Sequence, residues 1–299
     1  MKIKSIDDLV SLYKKEAPKI WACLVIGASL TLHGCNLNTI PIPREYNSWH
    51  YQLQNAQYSN LNKLSVEALV VDFEDAKLTP TDISDLRSNH KVIFSYLSIG
   101  AAENYRSYWQ SDWRVGYPSF IDEEIPDWKG NFIVHYWDPD WQSIMLSKVQ
   151  EIAHDGYDGI YLDMIDSYYY YETKGRSTAA AEMINFVHEI RDIAKTINPT
   201  FLIIPQNAPE LYDNDDYKQI IDGFGKEDTW YYDNKVRSKS DINYELTYLD
   251  QAVRDGKFVL AIDYPTAKNK IHNFYSKCEQ HGFTGTVSDR ELNLNRPIR

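Results

Sequence analysis

The sequence predicts an α/β protein, a single (β/α)8 TIM barrel, and three observations carry that expectation. Eight apolar runs rich in β-branched and aromatic residues recur along the chain, separated by helical patterns. Most of the runs are near-continuous rather than alternating, as strands covered on both faces must be. No Gly-rich phosphate loop joins a strand to a helix, which argues against an open doubly wound sheet.

The expected strands are residues 68–74, 91–98, 131–137, 158–164, 200–206, 219–226, 257–263 and 282–288. An additional segment, Trp49 to Asn55, is expected to close the barrel bottom or add an edge strand. Between the strands, Thr79 with Pro80 reads as a cap followed by proline in the first helical turn. Residues 140–156 carry apolar positions at Ile144, Met145, Val149, Ile152 and Ala153 and stop at Gly156. Residues 177–197 form the longest stripe, through Met183, Ile184, Val187, Ile190 and Ala194. Two further helices are expected over 241–255 and 267–281. The Asp213–Asp216 run lacks the Gly and closing Glu of a calcium loop and reads as a turn or helix start. The Tyr168–Tyr171 run fits either a sugar-stacking loop or a packed one.

The amino-terminal residues read differently. Five lysines precede an uncharged stretch of about 15 residues, too short to span a bilayer comfortably. It ends in Leu32-His33-Gly34-Cys35, similar to a bacterial lipobox. The expected organisation is a lipoprotein signal peptide over 1–34, a polar tether over 35–44 with Pro41 and Pro43, and a barrel domain over 45–299. Cys35 would carry the lipid, placing the protein outside the cytoplasm, anchored to the cell envelope. Cys278 would then be the one remaining thiol, so no disulfide is expected.

Composition excludes other classes. At 43% hydrophobic and 25% charged, the chain is too apolar for wholesale disorder. Lys and Arg total 31 against 43 Asp and Glu, so a basic nucleic-acid surface is not expected. Residues 1–34 hold five lysines and three acids, so without them the formal charge moves from -12 to -14. No Cys/His spacing suggests zinc, and no metal or cofactor is expected.

In a barrel, chemistry belongs where strands end. Residues there include Asp72, then Tyr96 with Glu103 and Arg106, then Trp137, Asp163 and Asp166. Further on come Asn207, Glu227, Trp230, Tyr231, Asp263 and Tyr264. Carboxylates, amides and aromatics converge there without a Ser-His-Asp order or a His cluster, as glycoside hydrolysis by two carboxyls requires. Asp163 and Glu227 are the expected pair. Asp163 is short and suits a rigid strand tip, whereas Glu227 reaches further, as a proton donor to a leaving oxygen must. Trp137, Trp230, Tyr231 and Tyr264 are candidate sugar platforms.

These residues resemble a known family. Asp72-Phe73, the Ser95-Tyr96-Leu97-Ser98-Ile99-Gly100 block with Glu103 and Arg106, the Gly156–Asp163 block with Asp166, and Glu227 with Tyr231 are similar to glycoside hydrolase family 114. These are endo-α-1,4-polygalactosaminidase-like barrels, and the resemblance runs from about Trp49 to Ser288. It implies Asp163 as nucleophile or base, Glu227 as acid, and an α-1,4-linked galactosamine polymer as substrate. Where the family often has Asn after this aspartate, the chain has Met164. A deacetylated polymer of this kind is cationic, matching the acidic charge balance. A non-catalytic carbohydrate-binding lipoprotein on the same barrel is the alternative; it would keep the aromatics but need not keep both carboxyls.

Overall fold

Strand alternation decides what fills the centre of the molecule. In a computed structural model, which describes residues 45–298, eight parallel strands alternate with helices. The expected signal peptide and tether, with Cys35, lie outside the described residues. The strands are β1 (Trp49–Gln52), β2 (Ala68–Asp72), β3 (Val92–Ser98), β4 (Gly159–Asp163), β5 (Leu202–Pro205), β6 (Gly223–Glu227), β7 (Phe258–Asp263) and β8 (Thr284–Val287). β1 through β5 form one continuous parallel ladder, and β6, β7 and β8 form another. A parallel bridge from Gln206 to Gly225 joins the two, reinforced by the Asn207 N–H donating to the Gly225 carbonyl at 2.9 Å.

The seam between β8 and β1 is held by other means. Trp49 Nε1 donates to the Thr284 carbonyl at 2.9 Å, and the Thr284 hydroxyl donates to the Tyr46 carbonyl. The segment after β8 returns across the gap. Its Leu292 carbonyl accepts from the Leu53 N–H at 2.8 Å, and its Ile298 N–H donates to the Val287 carbonyl at 2.8 Å. The result is a (β/α)8 barrel.

Two expectations about the strands are corrected. Trp49–Gln52 is the first barrel strand, pairing along its whole length with β2. Residues 131–137 are not in the barrel. Asn131–Val134 pairs antiparallel with Ala101–Glu103 and Ile121–Glu124, a small sheet inserted between β3 and the next helix. The two errors cancel in the count, so Asp163 still ends the fourth strand and Glu227 the sixth. At the sixth strand, Gln219 and Ile220 belong to the short helix Asp215–Ile220 rather than to β6.

Alternate residues of each strand point inward. Trp49, Tyr51, Ala68, Val70, Phe94, Tyr96, Tyr161, Ile204, Phe258, Leu260, Ile262 and Tyr264 fill the barrel as one buried cluster. These rings are large, and β6 makes room for them. A Cβ on Gly223 would lie 2.5 Å from the Phe258 ring, and one on Gly225 would lie 2.1 Å from the Tyr161 hydroxyl. Glycine at both inward positions of β6 leaves Glu227 as its first inward side chain.

The helices cover the outer face. α1 (Pro80–Ser88) starts with a capping box between Thr79 and Asp82. α2 (Pro139–Asp155) is capped by Asp138 and ended by Gly156 at φ 94°. α3 (Ala179–Ile197), α4 (Lys239–Arg254) and α5 (Lys268–His281) follow the expected stripes. Tyr168 to Tyr171 lie in a short helix, Ser167–Thr173, and all four are buried, with Tyr169 also at the lining of the cleft described below. In the acidic run, Asn214 caps the helix that follows, accepting from the Tyr217 N–H at 3.0 Å.

Candidate active site

Because the strands are parallel and in register, inward residues near their carboxyl ends form a ring at one end of the barrel. Tyr51, Asp72, Tyr96, Asp163, Gln206, Glu227 and Tyr264 each continue the inward series of their strand. They line a single cleft of about 1400 Å³, larger than the roughly 300–1,000 Å³ of a typical small-molecule pocket.

Asp163 and Glu227 are set in different surroundings. One Asp163 oxygen accepts from the Tyr96 hydroxyl at 2.7 Å and the other from the Met164 N–H at 2.7 Å. Burial raises its pKa, while these two donors favour the anion and pull it back. Glu227 Oε2 accepts from Gln206 Nε2 at 2.5 Å, and the Tyr264 hydroxyl meets Oε1. Gln206 cannot turn freely, because its own carbonyl accepts from the Tyr51 hydroxyl at 3.1 Å. Burial, then the charges of Asp163 and Asp228, push the Glu227 carboxyl up to about 8, against the opposing Tyr264 contact and Lys226. Burial thus raises both carboxyls, and Glu227, set against the Asp163 charge, keeps its proton near neutrality.

A second acidic group is already matched. Arg106 lies 2.5 Å from Asp72 and 2.6 Å from Glu103, with all three side chains largely buried. Asp72 also caps the helix Phe73–Ala76 through the Glu74 and Asp75 N–H groups at 2.9 and 3.2 Å. Asp166 lines the cleft before the tyrosine helix. Asn207 accepts from the Glu227 N–H at 3.2 Å and so fixes the backbone of the candidate acid.

Four expected cleft residues lie elsewhere. Asp263 is the outward neighbour of Ile262 and is fully buried; its carboxylate accepts the Thr229, Trp230 and Tyr231 N–H groups at 2.6, 3.0 and 2.9 Å. It holds the loop after β6 instead of facing substrate. That loop turns outward, so Trp230 is 1% exposed against Phe274 and Phe283, and the Tyr231 hydroxyl donates to Asn273 at 2.6 Å. Trp137 packs on Tyr171 and under Arg176, whose guanidinium carbon lies 3.6 Å from the ring centroid. None of the three rings is a platform in the cleft. Trp230→Ala is accordingly expected to cost about 3–5 kcal/mol of stability, read by thermal or urea unfolding. A stability change below about 1 kcal/mol would place the ring back on an exposed surface.

Aromatic residues that do line the cleft with exposed faces include Tyr105, Trp128 and Tyr232. Tyr105 and Trp128 follow the ends of insertion strands, which a search of barrel strand ends passes over. Arg290 frames the same wall, paired to Asp228 at 2.8 and 3.1 Å.

A family model described as glycoside-hydrolase family GH114 matches residues 30–298. A protein of Deinococcus radiodurans is 36% identical over 258 residues, 83% of this chain and 83% of that protein. One of Methanocaldococcus jannaschii is 33% identical over 264 residues, 82% and 76% respectively. Among solved structures, Ega3 of Aspergillus fumigatus in complex with galactosamine superposes with a TM-score of 0.69 at 18% identity, covering 88% of this chain and 99% of that one. The glycoside hydrolase domain of PelA from Pseudomonas aeruginosa gives 0.69 at 16% identity, covering 85% and 98%.

Proposed function

Since the chain belongs to glycoside hydrolase family GH114, we propose that it cleaves an α-1,4-linked, galactosamine-containing polysaccharide with Asp163 and Glu227 as its carboxylate pair. The observation that carries this reading is a pair of carboxyls at the ends of the fourth and sixth strands lining one cleft, with Glu227 pushed up to about 8 in part by the Asp163 charge. Glu227 protonates the leaving glycosidic oxygen, and Asp163 attacks the anomeric carbon as the bond breaks. Water then displaces Asp163 with Glu227 acting as base, and the anomeric configuration is retained. Galactosamine in the complex of a structurally similar protein and the acidic charge balance of this chain support a cationic amino-sugar polymer as substrate.

The test is incubation of the purified protein with defined amino-sugar polymers, resolving products by mass spectrometry and their first-formed anomer by NMR. Release of the inverted anomer would replace the attack by Asp163 with base-assisted attack by water. No cleavage of any galactosamine polymer would end the substrate assignment, and would favour the non-catalytic binding alternative if the polymer is nonetheless bound.

The Glu227 environment also fixes a pH dependence. Its folded pKa of about 8 lies above its ordinary value of 4.5. The folded state therefore holds a proton that the unfolded state releases, and stability from this group is lost as pH rises from about 4.5 through 8. Glu227→Gln is expected to flatten the fall in melting temperature over that window. The same proton is needed for catalysis, so kcat/KM is expected to decline as pH passes about 8. A parent profile rising steadily to pH 10 would show that Glu227 is not the acid.

For the amino terminus, we propose that Cys35 carries a lipid and anchors the barrel to the cell envelope. The charged start, the apolar stretch and the small residue before Cys35 support this. Cys35→Ser is expected to move the protein out of the membrane fraction; unchanged membrane association would refute it.

A further inference from the structure

The inserted antiparallel sheet carries exposed aromatic residues that no strand or helix uses. Among the described residues, Tyr105 (63% exposed), Val115, Tyr117 and Trp128 (62% exposed) all fall within it, and they make up more than half of the exposed large hydrophobic residues. Two of the four, Tyr105 and Trp128, line the same cleft as Asp163 and Glu227. The interior of the insertion is already filled by Trp109, Trp113, Phe120 and Phe132, whose ring contacts lie at 5.1–5.4 Å. Tyr105 and Trp128 are surplus to that packing.

The Trp128 backbone and the Tyr105 ring are both tied down, although the two aromatic faces are open. The Trp128 N–H donates to the Ile125 carbonyl at 3.1 Å, and the Trp128 carbonyl accepts from the Asn131 N–H at 2.9 Å. Gly130, at φ 88°, closes the turn and donates its N–H to Glu124 at 2.7 Å. The Tyr105 hydroxyl donates to Glu103 at 2.5 Å, and the Arg106 guanidinium lies 5.2 Å from its ring centroid. An aromatic ring carried on an anchored backbone, with only two side-chain torsions to order, costs little entropy to use as a stacking surface. Asp127, beside Trp128, adds a carboxylate to the same lining.

We propose that Trp128, with Tyr105 and Asp127, forms a remote subsite on the insertion that binds an amino-sugar unit of a polymer whose scissile bond lies at the Asp163–Glu227 pair. The apolar C–H face of the sugar lies on the indole, and its ammonium is attracted by both the ring and the Asp127 carboxylate. The inference rests on the reading of the cleft as a polysaccharide site and specifies where, beyond the reacting carboxyls, the chain is gripped. A second copy of this protein covering the same rings is the competing occupant.

The test uses the full chain carrying Glu227→Gln, so that binding is read without turnover. Affinity is measured for partly deacetylated α-1,4-galactosamine polymer and for galactosamine itself. Adding Trp128→Ala is expected to weaken polymer binding about ten-fold and leave monosaccharide affinity unchanged. Trp128→Phe should restore most of the loss. Asp127→Asn should weaken binding of the deacetylated polymer more than that of its fully N-acetylated form. The proposal is overturned if Trp128→Ala binds polymer as tightly as its parent, if monosaccharide and polymer weaken together, or if no polymer is bound at all. A lower sedimentation mass in Trp128→Ala would likewise overturn it, by showing the ring buried against a second copy. Polymer bound through Trp128 by a protein that cleaves none of it would sink the hydrolase reading while leaving this one standing.

Discussion

Glu227→Gln is expected to lower kcat on a galactosamine polymer by roughly 10²–10⁴-fold, with Asp163→Asn at least as damaging. Each change keeps the shape of the side chain. The amide introduced by Glu227→Gln could still accept from Gln206 and meet the Tyr264 hydroxyl, but it has no acidic proton to give a leaving oxygen. The amide introduced by Asp163→Asn could still accept from Tyr96, but it presents no anion to an oxocarbenium-like carbon. The two variants should also separate by rescue. A substrate with an activated leaving group needs little protonation, so it should recover much of the Glu227→Gln loss and little of the Asp163→Asn loss. Azide, a small external nucleophile, should restore turnover in a smaller variant, Asp163→Gly, through the opposite anomer. If either isosteric variant cleaves the polymer near the parent rate, the pair has been misassigned.

Arg106→Met is expected to cost about 3–5 kcal/mol of folding stability, because it leaves two buried carboxylates without their shared cation. Asp72 and Glu103 both tend to hold protons once buried, and the guanidinium between them opposes that tendency. Without it, both should titrate upward, so the variant should lose stability more steeply than the parent as pH rises above the usual carboxylate range. Urea unfolding at pH 5 and pH 8 checks both statements. A loss below about 1 kcal/mol at both pH values would mean that water, not Arg106, solvates the pair. Adding Glu103→Gln to Arg106→Met should return part of the lost stability.

Much of this architecture can be read from residue order alone, and the failures have specific causes. Seven of the eight barrel strands coincide with expected runs because buried parallel strands leave near-continuous apolar signatures. The segment Asn131–Val134 carries the same signature, yet an apolar run does not declare which sheet it joins. Trp49–Gln52 reads as an accessory segment because its outward residues, His50 and Gln52, are polar although buried. Asp163 and Glu227 are legible because they end strands on the inward parity. Asp263 also ends a strand, but Phe258, Leu260 and Ile262 occupy the inward positions of β7, which turns Asp263 away from the cleft. That parity is present in the sequence. The burial of Trp230 and Tyr231 is not, since a ring just beyond a strand end looks the same whether it turns over the cleft or onto α5.

The side-chain seam between β8 and β1 has a consequence for how the chain assembles. Trp49 and Thr284 are 235 positions apart, so this join cannot nucleate folding; it forms after the intervening strands have ordered and shortened the loop to be closed. Until then the growing sheet is an open ribbon with two unpaired edges, each able to recruit a strand from another molecule. With few backbone bonds across it, the same line is where the finished ring should breathe first. Slow refolding that loses yield as protein concentration rises is the behaviour such a closure imposes.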